Sequence, residues 1–287
     1  AGSPASRIAI VQANLDLGSQ WRQEFYGRNL EQYMRLTLQE LRTSQPQLVF
    51  WPESAMTFFL GDQPLYQAAI GHVLDAFGAE LVAGGPYTAS RDADAPIFHN
   101  AAFSLAPSGR ITARYDKEHL LPFAEYFPLR LDLLRRTFGR VREFTPGTTT
   151  SLLPTVAGLA GVLICNEAMF PDVARDRVRA GAELLVNLTN DTWVGDRTFS
   201  SIAFDMAVLR AIEQRRYLVR ASTAGPSAIV DPWGRIVTET PLFTQTTTTG
   251  SVAPAHGLTA YARLGDAFAI ACGLVAAAAL LRRARLA

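Results

Sequence analysis

Short apolar runs alternate with longer segments of helical periodicity along most of the chain. Residues 7–12 and 47–51 are apolar runs of strand length, and residues 26–42 between them carry apolar side chains three or four positions apart. Such runs predict buried strands, and such spacing predicts a helix with one buried face. The same reasoning predicts strands at residues 80–84, 98–105, 111–115, 148–154, 159–164, 184–189, 218–222, 227–230 and 235–239, and helices at residues 65–77, 170–180 and 200–217. We therefore expect an α/β fold in which helix-covered sheets form two similar halves.

The last apolar run, residues 267–281, contains no charged residue and is followed by Arg282, Arg283 and Arg285. A membrane span needs about 20 apolar residues, so the run reaches that length only when it is extended back through Leu264 and Tyr261, with Asp266 near the interface. Arginines favour the cytoplasmic side of a membrane, which would leave the rest of the chain outside. We expect a C-terminal transmembrane helix, with an alanine-rich helix docked on the protein as the alternative.

Composition and charge exclude several classes of protein. Hydrophobic residues make up 48% of the chain and charged residues 18%, which excludes disorder for most of it. The net charge of +1 gives no reason to expect a nucleic-acid partner. No Gly-rich phosphate loop occurs, the four histidines lack ligand spacing, and the two cysteines, Cys165 and Cys272, lie in unrelated patterns. We expect no disulfide, no metal and no cofactor.

Three residues with complementary chemistry follow predicted strands. Glu53 lies in LVFWPESA, Lys117 in RYDKEHLLPFAEYFP and Cys165 in GVLICNE. A glutamate can take a thiol proton, and a lysine can stabilise the thiolate and then the oxyanion of a tetrahedral intermediate. Singly, they could be a helix-capping acid, a solvated charge and a small buried hydrophobe. Together they predict a nucleophilic site, with a pair of Cys165 and His119 as the lesser alternative.

These three stretches resemble the nitrilase, or carbon–nitrogen hydrolase, superfamily, whose catalytic residues are Glu, Lys and Cys. WPESA, YDKEHLLPFAEYFP and CNEAMFPDVARDRVRAGAELLVNLTNDTWVGD look like the catalytic domain of the apolipoprotein N-acyltransferase family, and the resemblance runs from about residue 7 to the C-terminus. It implies a nitrilase-type αββα sandwich followed by the C-terminal hydrophobic helix. It also implies that Glu53 is the base, Lys117 the oxyanion and thiolate partner, and Cys165 the acylated nucleophile.

The resemblance gives supporting roles to three further residues. Glu125 would be the second essential glutamate, Glu167 the carboxylate just past the nucleophile, and the backbone amide of Asn166 a donor to the oxyanion. The family usually has tyrosine at the position of Asn166, glycine at that of Ala124 and phenylalanine at that of Val194. These departures bear on rate and substrate fit more than on the chemistry.

Aromatic residues are candidates for the walls and gates of a pocket. Phe58 and Phe59 in MTFFL could form, with Phe127, an apolar rim that keeps water away from a thioester. Trp21 follows the first predicted strand, and Trp193 follows another, so either could cover the pocket. Simple packing in the core or a loop is the alternative for each of them.

Residues 129–142, LRLDLLRRTFGRVR, mix leucines with five arginines. This composition is typical of a basic amphipathic helix on an anionic lipid surface, and equally of a solvated surface helix. Its position beside the segment that carries Lys117 and Glu125 slightly favours the membrane interpretation.

The resemblance implies an N-acyltransferase of the bacterial inner membrane with its catalytic domain on the periplasmic side. It would move an acyl chain from a phospholipid donor, through a thioester on Cys165, to the α-amino group of the diacylglyceryl-cysteine of an apolipoprotein acceptor. An amidase or nitrilase that hydrolyses a small carbon–nitrogen substrate is the alternative, as is an impaired or accessory relative. The expected organisation is a flexible lead-in at residues 1–6, a catalytic domain at 7–258, and the membrane helix with its basic tail at 259–287.

Overall fold

The computed structural model describes residues 4–15, 22–90, 92, 96–127, 143–192, 195 and 197–286. The strands are β1 (Ser6–Gln12), β2 (Leu48–Phe50), β3 (Glu80–Ser90), β4 (Ile97–Leu105), β5 (Ile111–Asp116), β6 (Leu153–Thr155), β7 (Gly158–Ile164), β8 (Leu184–Thr189), β9 (Leu218–Ser222), β10 (Ala228–Val230), β11 (Ile236–Glu239) and β12 (Thr246–Val252). The α-helices are α1 (Tyr26–Thr43), α2 (Pro64–Asp75), α3 (Pro171–Arg179), α4 (Arg197–Gln214), α5 (Ala260–Leu264) and α6 (Ala267–Leu286). Short 3-10 helices occur at Gln23–Phe25, Leu60–Asp62 and Cys165–Met169.

The strands form two six-stranded sheets with the same internal order. Sheet 1 runs β12-β1-β2-β3-β4-β5 and sheet 2 runs β6-β7-β8-β9-β10-β11. The strands β1, β2 and β3 are parallel neighbours, as are β7, β8 and β9, and the remaining pairs are antiparallel. Parallel neighbours need crossover connections, which α1 and α2 provide in sheet 1 and α3 and α4 in sheet 2. The α/β fold in two halves that the sequence predicts is confirmed.

Apolar side chains pack in three layers that hold the sandwich together. The middle layer lies between the sheets and includes Ile10, Phe50, Val162, Val186 and Val219. A second layer packs sheet 1 against α1 and α2, and a third packs sheet 2 against α3 and α4. Both faces of the central strands are therefore buried, which explains why these strands are almost continuously apolar in the sequence. The result is an αββα sandwich.

The C-terminal helix departs from the sequence-based expectation. Gly265, at a φ of +56°, separates α5 from α6, and the side chains of Phe268, Leu274 and Val275 on α6 are largely exposed. Within the described part of the chain, no helix has both the length and the apolar character that crossing a bilayer requires. The predicted C-terminal transmembrane helix is therefore not supported.

Candidate active site

Polar residues from both sheets meet at one edge of the sandwich. Glu53 follows β2, Lys117 follows β5 and Cys165 follows β7. The Lys117 ammonium lies 3.9 Å from the Glu53 carboxylate, and the charges of both residues act on the Cys165 sulfur. The structure therefore brings together three residues that the sequence places after three separate strands.

The Glu53 side chain is buried and both of its oxygens accept hydrogen bonds. Oε1 accepts from Nδ2 of Asn100 at 2.8 Å, and Oε2 accepts from the backbone amide of Asn190 at 2.9 Å. The loop after β2, which carries Glu53, lies close against β3 because Gly84 of β3 has no side chain. A Cβ at Gly84 would come within 2.7 Å of the Glu53 Cα. Hydrogen bonds thus fix the carboxylate, while close packing fixes its backbone.

Lys117 is the only lysine of the chain, whose other cationic side chains are arginines. The residue is 1% exposed, and its ammonium donates to Oε2 of Glu125 at 2.7 Å. Glu125 Oε2 also accepts from the backbone amide of Leu121 at 2.7 Å. A buried ion pair needs such additional hydrogen bonds to offset the hydration it loses. The pair of Lys117 and Glu125 is built in this way.

Cys165 begins the 3-10 helix and has a φ of +53°. This left-handed conformation is uncommon for residues other than glycine and persists only where the surroundings hold it. Glu167 provides that restraint, because its Oε2 accepts from the backbone amide of Ile164 at 2.7 Å. Its Oε1 accepts from the first two backbone amides after Lys117 at 2.8 and 3.1 Å. The turn that carries the thiol is therefore tied to the loop that follows the lysine.

A buried network extends from Glu167 into the fold. The Tyr115 hydroxyl donates to Oε1 of Glu167 at 2.7 Å and accepts a hydrogen bond from Nη2 of Arg177. The Arg177 guanidinium lies 3.3 Å from the Glu118 carboxylate, and its Nε donates to the carbonyl of Val162 at 3.1 Å. Because Arg177 belongs to α3, Tyr115 to β5 and Val162 to β7, the network anchors the Cys165 turn to three elements.

A family model described as carbon–nitrogen hydrolase matches residues 7–259 of the chain. The chain belongs to the carbon–nitrogen hydrolase family. Solved structures have the same fold: a carbon–nitrogen hydrolase from Helicobacter pylori G27 aligns with a TM-score of 0.64 at 17% identity, over 86% of this chain and 88% of that one. An amidase from Nesterenkonia sp. aligns with a TM-score of 0.65 at 18% identity, over 89% of this chain and 92% of that one.

Curated relatives of the chain include proteins named apolipoprotein N-acyltransferase. The one from Geobacter metallireducens is 36% identical over 288 residues, which cover 98% of this chain and 55% of the relative. The one from Methylococcus capsulatus is 32% identical over 285 residues, which cover 96% of this chain and 54% of the relative. The chain thus spans about half the length of these relatives.

Burial and neighbouring charges set the ionisation states of the residues in this site. Burial raises the pKa of Glu53 to about 6, and Lys117 opposes this increase. Burial also raises the pKa of the Cys165 thiol to about 12, with a further increase from the charge of Glu53 and a decrease from Lys117. Burial lowers the pKa of Lys117, but the charges of Glu53, Cys165 and Glu125 raise it more, so that it exceeds its ordinary value. Near neutral pH the site therefore holds a thiol, an ionised Glu53 and a charged Lys117.

A second buried ion pair lies beside the thiol. Asp191 Oδ2 lies 2.8 Å from Nη2 of Arg220, and Oδ1 accepts from the Thr189 hydroxyl at 2.9 Å. The Asp191 charge raises the pKa of the Cys165 thiol, whereas the neighbouring Thr189 hydroxyl lowers it. Arg220 and Asn100 were not among the site residues that the sequence predicts. Each is a polar residue inside a predicted buried strand, and that position was the signal that could have identified it.

Asn166, next to the thiol, is held by the loop that follows Lys117. Its Nδ2 donates to the carbonyl of His119 at 3.3 Å, while its buried Oδ1 has no hydrogen-bond partner among the residues that the structure describes. Because a carbonyl can only accept, this contact fixes the orientation of the Asn166 amide. Among the residues described, no three His, Cys, Asp or Glu side chains are grouped so that they could hold a metal ion.

The predicted pocket residues lie in different places. Phe58 is buried among the side chains between sheet 1 and its helices, where its ring packs against Tyr66 at 4.9 Å. Phe59 lines a cavity of about 230 Å³ together with Tyr87 and Phe103. Its ring also packs against Phe98 of β4, with 5.6 Å between the ring centroids.

Phe127 is 9% exposed and packs edge-on against Phe123, two residues before Glu125. Three other predictions, Trp21, Trp193 and the basic segment at residues 129–142, lie outside the described residues.

Proposed function

We propose that the chain is the catalytic part of an N-acyltransferase that moves a fatty acyl chain from a phospholipid to the α-amino group of the diacylglyceryl-cysteine of a bacterial apolipoprotein. The observation that carries this proposal is the buried contact of Glu53 with Lys117 beside the Cys165 sulfur. The relatives that are 36% and 32% identical and bear the name apolipoprotein N-acyltransferase support the choice of this reaction for this family member.

In the first half-reaction, the Cys165 sulfur attacks the carbonyl carbon of the phospholipid ester while Glu53 takes the thiol proton. A thiol with a pKa of about 12 needs a base, and a carboxyl with a pKa of about 6 is ionised at neutral pH and can serve as one. The Lys117 ammonium and the Asn166 backbone amide stabilise the oxyanion. The ester C–O bond then breaks, Glu53 returns the proton to the leaving alkoxide, and the acyl group remains on sulfur as a thioester.

In the second half-reaction, the uncharged α-amino group of the acceptor attacks the thioester carbonyl. Glu53 takes a proton from the nitrogen, the C–S bond breaks, and Glu53 then returns the proton to the Cys165 sulfur. Transfer to an amine requires that water be kept away from the thioester. We assign this exclusion to the apolar loop around Phe123 and Phe127, which also carries Glu125.

We place the reaction at a bacterial membrane, on its periplasmic side, because the donor and the acceptor are both lipids. The exposed apolar side chains of α6, among them Phe268, Leu274 and Val275, support contact with a lipid surface. The 287 residues correspond to 55% of the Geobacter metallireducens relative. Binding of the apolipoprotein acceptor, as an activity of the whole relative, is therefore also part of this proposal.

Intact-mass spectrometry of the chain after incubation with mixed micelles of phospholipid and detergent tests the proposal. We expect one acyl group per chain, mapped to Cys165, and its transfer when a synthetic diacylglyceryl-cysteine peptide is added. Cys272 on α6 is exposed, so Cys272→Ala is a matched control that should retain the adduct, whereas Cys165→Ala should lose it. A native chain that remains unacylated, or one whose adduct lies on Cys272, would overturn the proposal.

Hydrolysis of a small amide is the second candidate, because the same thiol, base and oxyanion donors could act with water as the acceptor. The match of residues 7–259 to the carbon–nitrogen hydrolase family favours it. Release of ammonia from short aliphatic amides, together with the absence of any phospholipid adduct, would support this candidate over acyl transfer.

A further inference from the structure

Asn100 lies on β4 between the two buried carboxylates of the site. Its Nδ2 donates to Oε1 of Glu53 at 2.8 Å and to Oε1 of Glu125 at 2.7 Å. An amide nitrogen carries two hydrogens, so this single group can serve both acids at once. The backbone carbonyl of Asn100 also accepts from the amide of Lys117 at 2.8 Å. Asn100 therefore contacts both carboxylates and the residue that carries the ammonium.

The ammonium alone does not balance both acids. Lys117 Nζ lies 2.7 Å from Glu125 but 3.9 Å from Glu53, so its direct hydrogen bond goes to Glu125. Two neighbouring buried carboxylates tend to share one proton, because both cannot ionise without repulsion. A shared proton would leave Glu53 partly neutral, and a neutral carboxyl group cannot take the proton of the thiol. A neutral group that donates to both acids stabilises the doubly ionised state instead.

We propose that Asn100 is a positioning residue that keeps Glu53 and Glu125 ionised and separate, so that Glu53 stays free to accept the thiol proton. The inference rests on the proposed function because that function makes Glu53 the base. An uncharged donor suits this task, since a cation at this position would compete with Lys117 for both acids. An acid there would add a third carboxyl group to the same buried space.

The groups that face Glu53 come from four segments. They are the ammonium of Lys117, the carboxylate of Glu125, the thiol of Cys165 and the backbone amide of Asn190. A substitution at Asn100 replaces none of these groups, and it removes only the amide hydrogens donated to Glu53 and to Glu125. A shift in the ionisation of Glu53 in such a variant would therefore report the loss of the two amide hydrogens.

The rate at which iodoacetamide alkylates Cys165 tests the proposal without an acyl donor. In a Cys272→Ala background, Cys165 is the only cysteine that can react. Alkylation requires that the thiol lose its proton to Glu53, so Glu53 must be ionised before the reaction. The acidic limb of the rate profile therefore reports the ionisation of Glu53, near pH 6 in the native site. The alkylation rate is measured from pH 4.5 to 9. In Asn100→Leu, the midpoint of the acidic limb should lie about one pH unit higher than in the native chain. At pH 6 the variant would react several-fold more slowly, by a factor of up to about 10, and the two profiles would meet above pH 8.

Asn100→Leu is the deciding variant, because leucine is close to asparagine in size, brings no charge and keeps the backbone carbonyl that binds Lys117. If Asn100 only filled space, a folded Asn100→Leu protein would retain the native profile or lower the rate equally at every pH, and either result would overturn the proposal. A shift of its acidic limb to higher pH would support the proposal. Asn100→Asp adds a carboxyl group beside the two acids, so its larger shift would include charge repulsion and serves only to show that the position acts on Glu53.

A measurement on the native chain guards against variants that do not fold. With 15N-labelled asparagine, the side-chain amide of Asn100 should resist hydrogen exchange and change its proton shifts as Glu53 titrates near pH 6. Fast hydrogen exchange of this amide in the folded native chain would show that it is not held by the two carboxylates, and would overturn the proposal. Absence of acyl transfer with an intact alkylation profile would instead count against the proposed function alone.

Discussion

The backbone amide of Asn190 donates a hydrogen bond of 2.9 Å to the Glu53 carboxylate, and this bond joins the two halves of the sandwich. Glu53 follows β2 of sheet 1, whereas Asn190 follows β8 of sheet 2. Asn100, from β4 of sheet 1, donates to the other oxygen. The carboxylate that we propose as the base is thus held by donors from both sheets.

Replacement of this carboxylate gives the first prediction. Glu53→Gln should slow thioester formation by about 10²- to 10⁴-fold, because the amide cannot take the thiol proton. The side-chain volume hardly changes, so the fold should persist. The time course of acylation by mass spectrometry measures the effect. Glu31→Gln, at an exposed position of α1, is the control and should react at the native rate. Equal rates for Glu53→Gln and the native chain would contradict the assignment of the base.

The raised pKa of Glu53 predicts how stability depends on pH. Its value rises from 4.5 to about 6, mainly through burial, so the folded chain binds this proton more tightly than the unfolded chain does. The free energy of unfolding should therefore decline as the pH rises from 4.5 to about 6, by up to about 2 kcal/mol from this group. Urea unfolding at several pH values in this window measures the decline.

Glu53→Gln separates this contribution from those of other acids. The variant has no proton to lose at this position, so its free energy of unfolding should decline less than that of the native chain over the same pH window. The exposed Glu31→Gln control should keep the native slope. Parallel curves for Glu53→Gln and the native chain would show that Glu53 titrates near its ordinary pKa.

The ion pair of Lys117 and Glu125 gives a prediction that one resonance can test. Because the chain has one lysine, selective 13C and 15N labelling of lysine yields a single side-chain signal. We expect no titration midpoint below 10.5, since the nearby negative charges outweigh the effect of burial on the pKa of Lys117. In Glu125→Gln the midpoint should fall by about one unit or more, because the contact at 2.7 Å loses its charge.

A substitution at Glu118, whose carboxylate pairs with Arg177, serves as the comparison for this titration. Glu118 pairs with Arg177 and is absent from the set of charges that raise the pKa of Lys117, so Glu118→Gln should leave the lysine signal unchanged. A native midpoint below 10.5, or equal shifts in the two variants, would refute the arrangement of charges described for the site.

Glu167 holds the turn at Cys165 through buried hydrogen bonds, so its replacement should lower the stability of the fold. In Glu167→Gln, the new amide group must face donors from Tyr115 or from backbone amides, which leaves buried hydrogen-bonding groups unsatisfied. We expect a decrease of about 1–3 kcal/mol in the free energy of unfolding, measured with urea. Glu80→Gln, which affects an exposed hydrogen bond to Val156, should cost less. A smaller loss for Glu167→Gln than for Glu80→Gln would contradict this role.

The sequence predicted most of the fold because the central strands are buried on both faces and therefore carry clear apolar runs. It missed β12, whose TTTTGSV sequence has no apolar alternation and which forms by pairing with β1 along its whole length, from Ser6 opposite Val252 to Gln12 opposite Thr246. That pairing depends on a contact between the two ends of the domain. Local periodicity contains no information about such a contact.

Glu53, Lys117 and Cys165 could be nominated from the sequence because each follows a strand, and strand ends on one edge converge. Asn100 and Arg220 could not be nominated in this way, since both lie inside strands where most residues serve packing. Their importance depends on which face of the strand they occupy and on what the opposite sheet places there. The C-terminal run differs for another reason: its apolar composition suggested a membrane span, but no described helix has the length and apolar character to support one.

The position of the single lysine has a practical consequence. The chain has one ε-amino group, and the side chain that carries it is 1% exposed. Reagents that couple to lysine amines under native conditions would therefore leave the Lys117 ammonium chemically intact. Modification of this side chain would instead report that the fold around the site had opened.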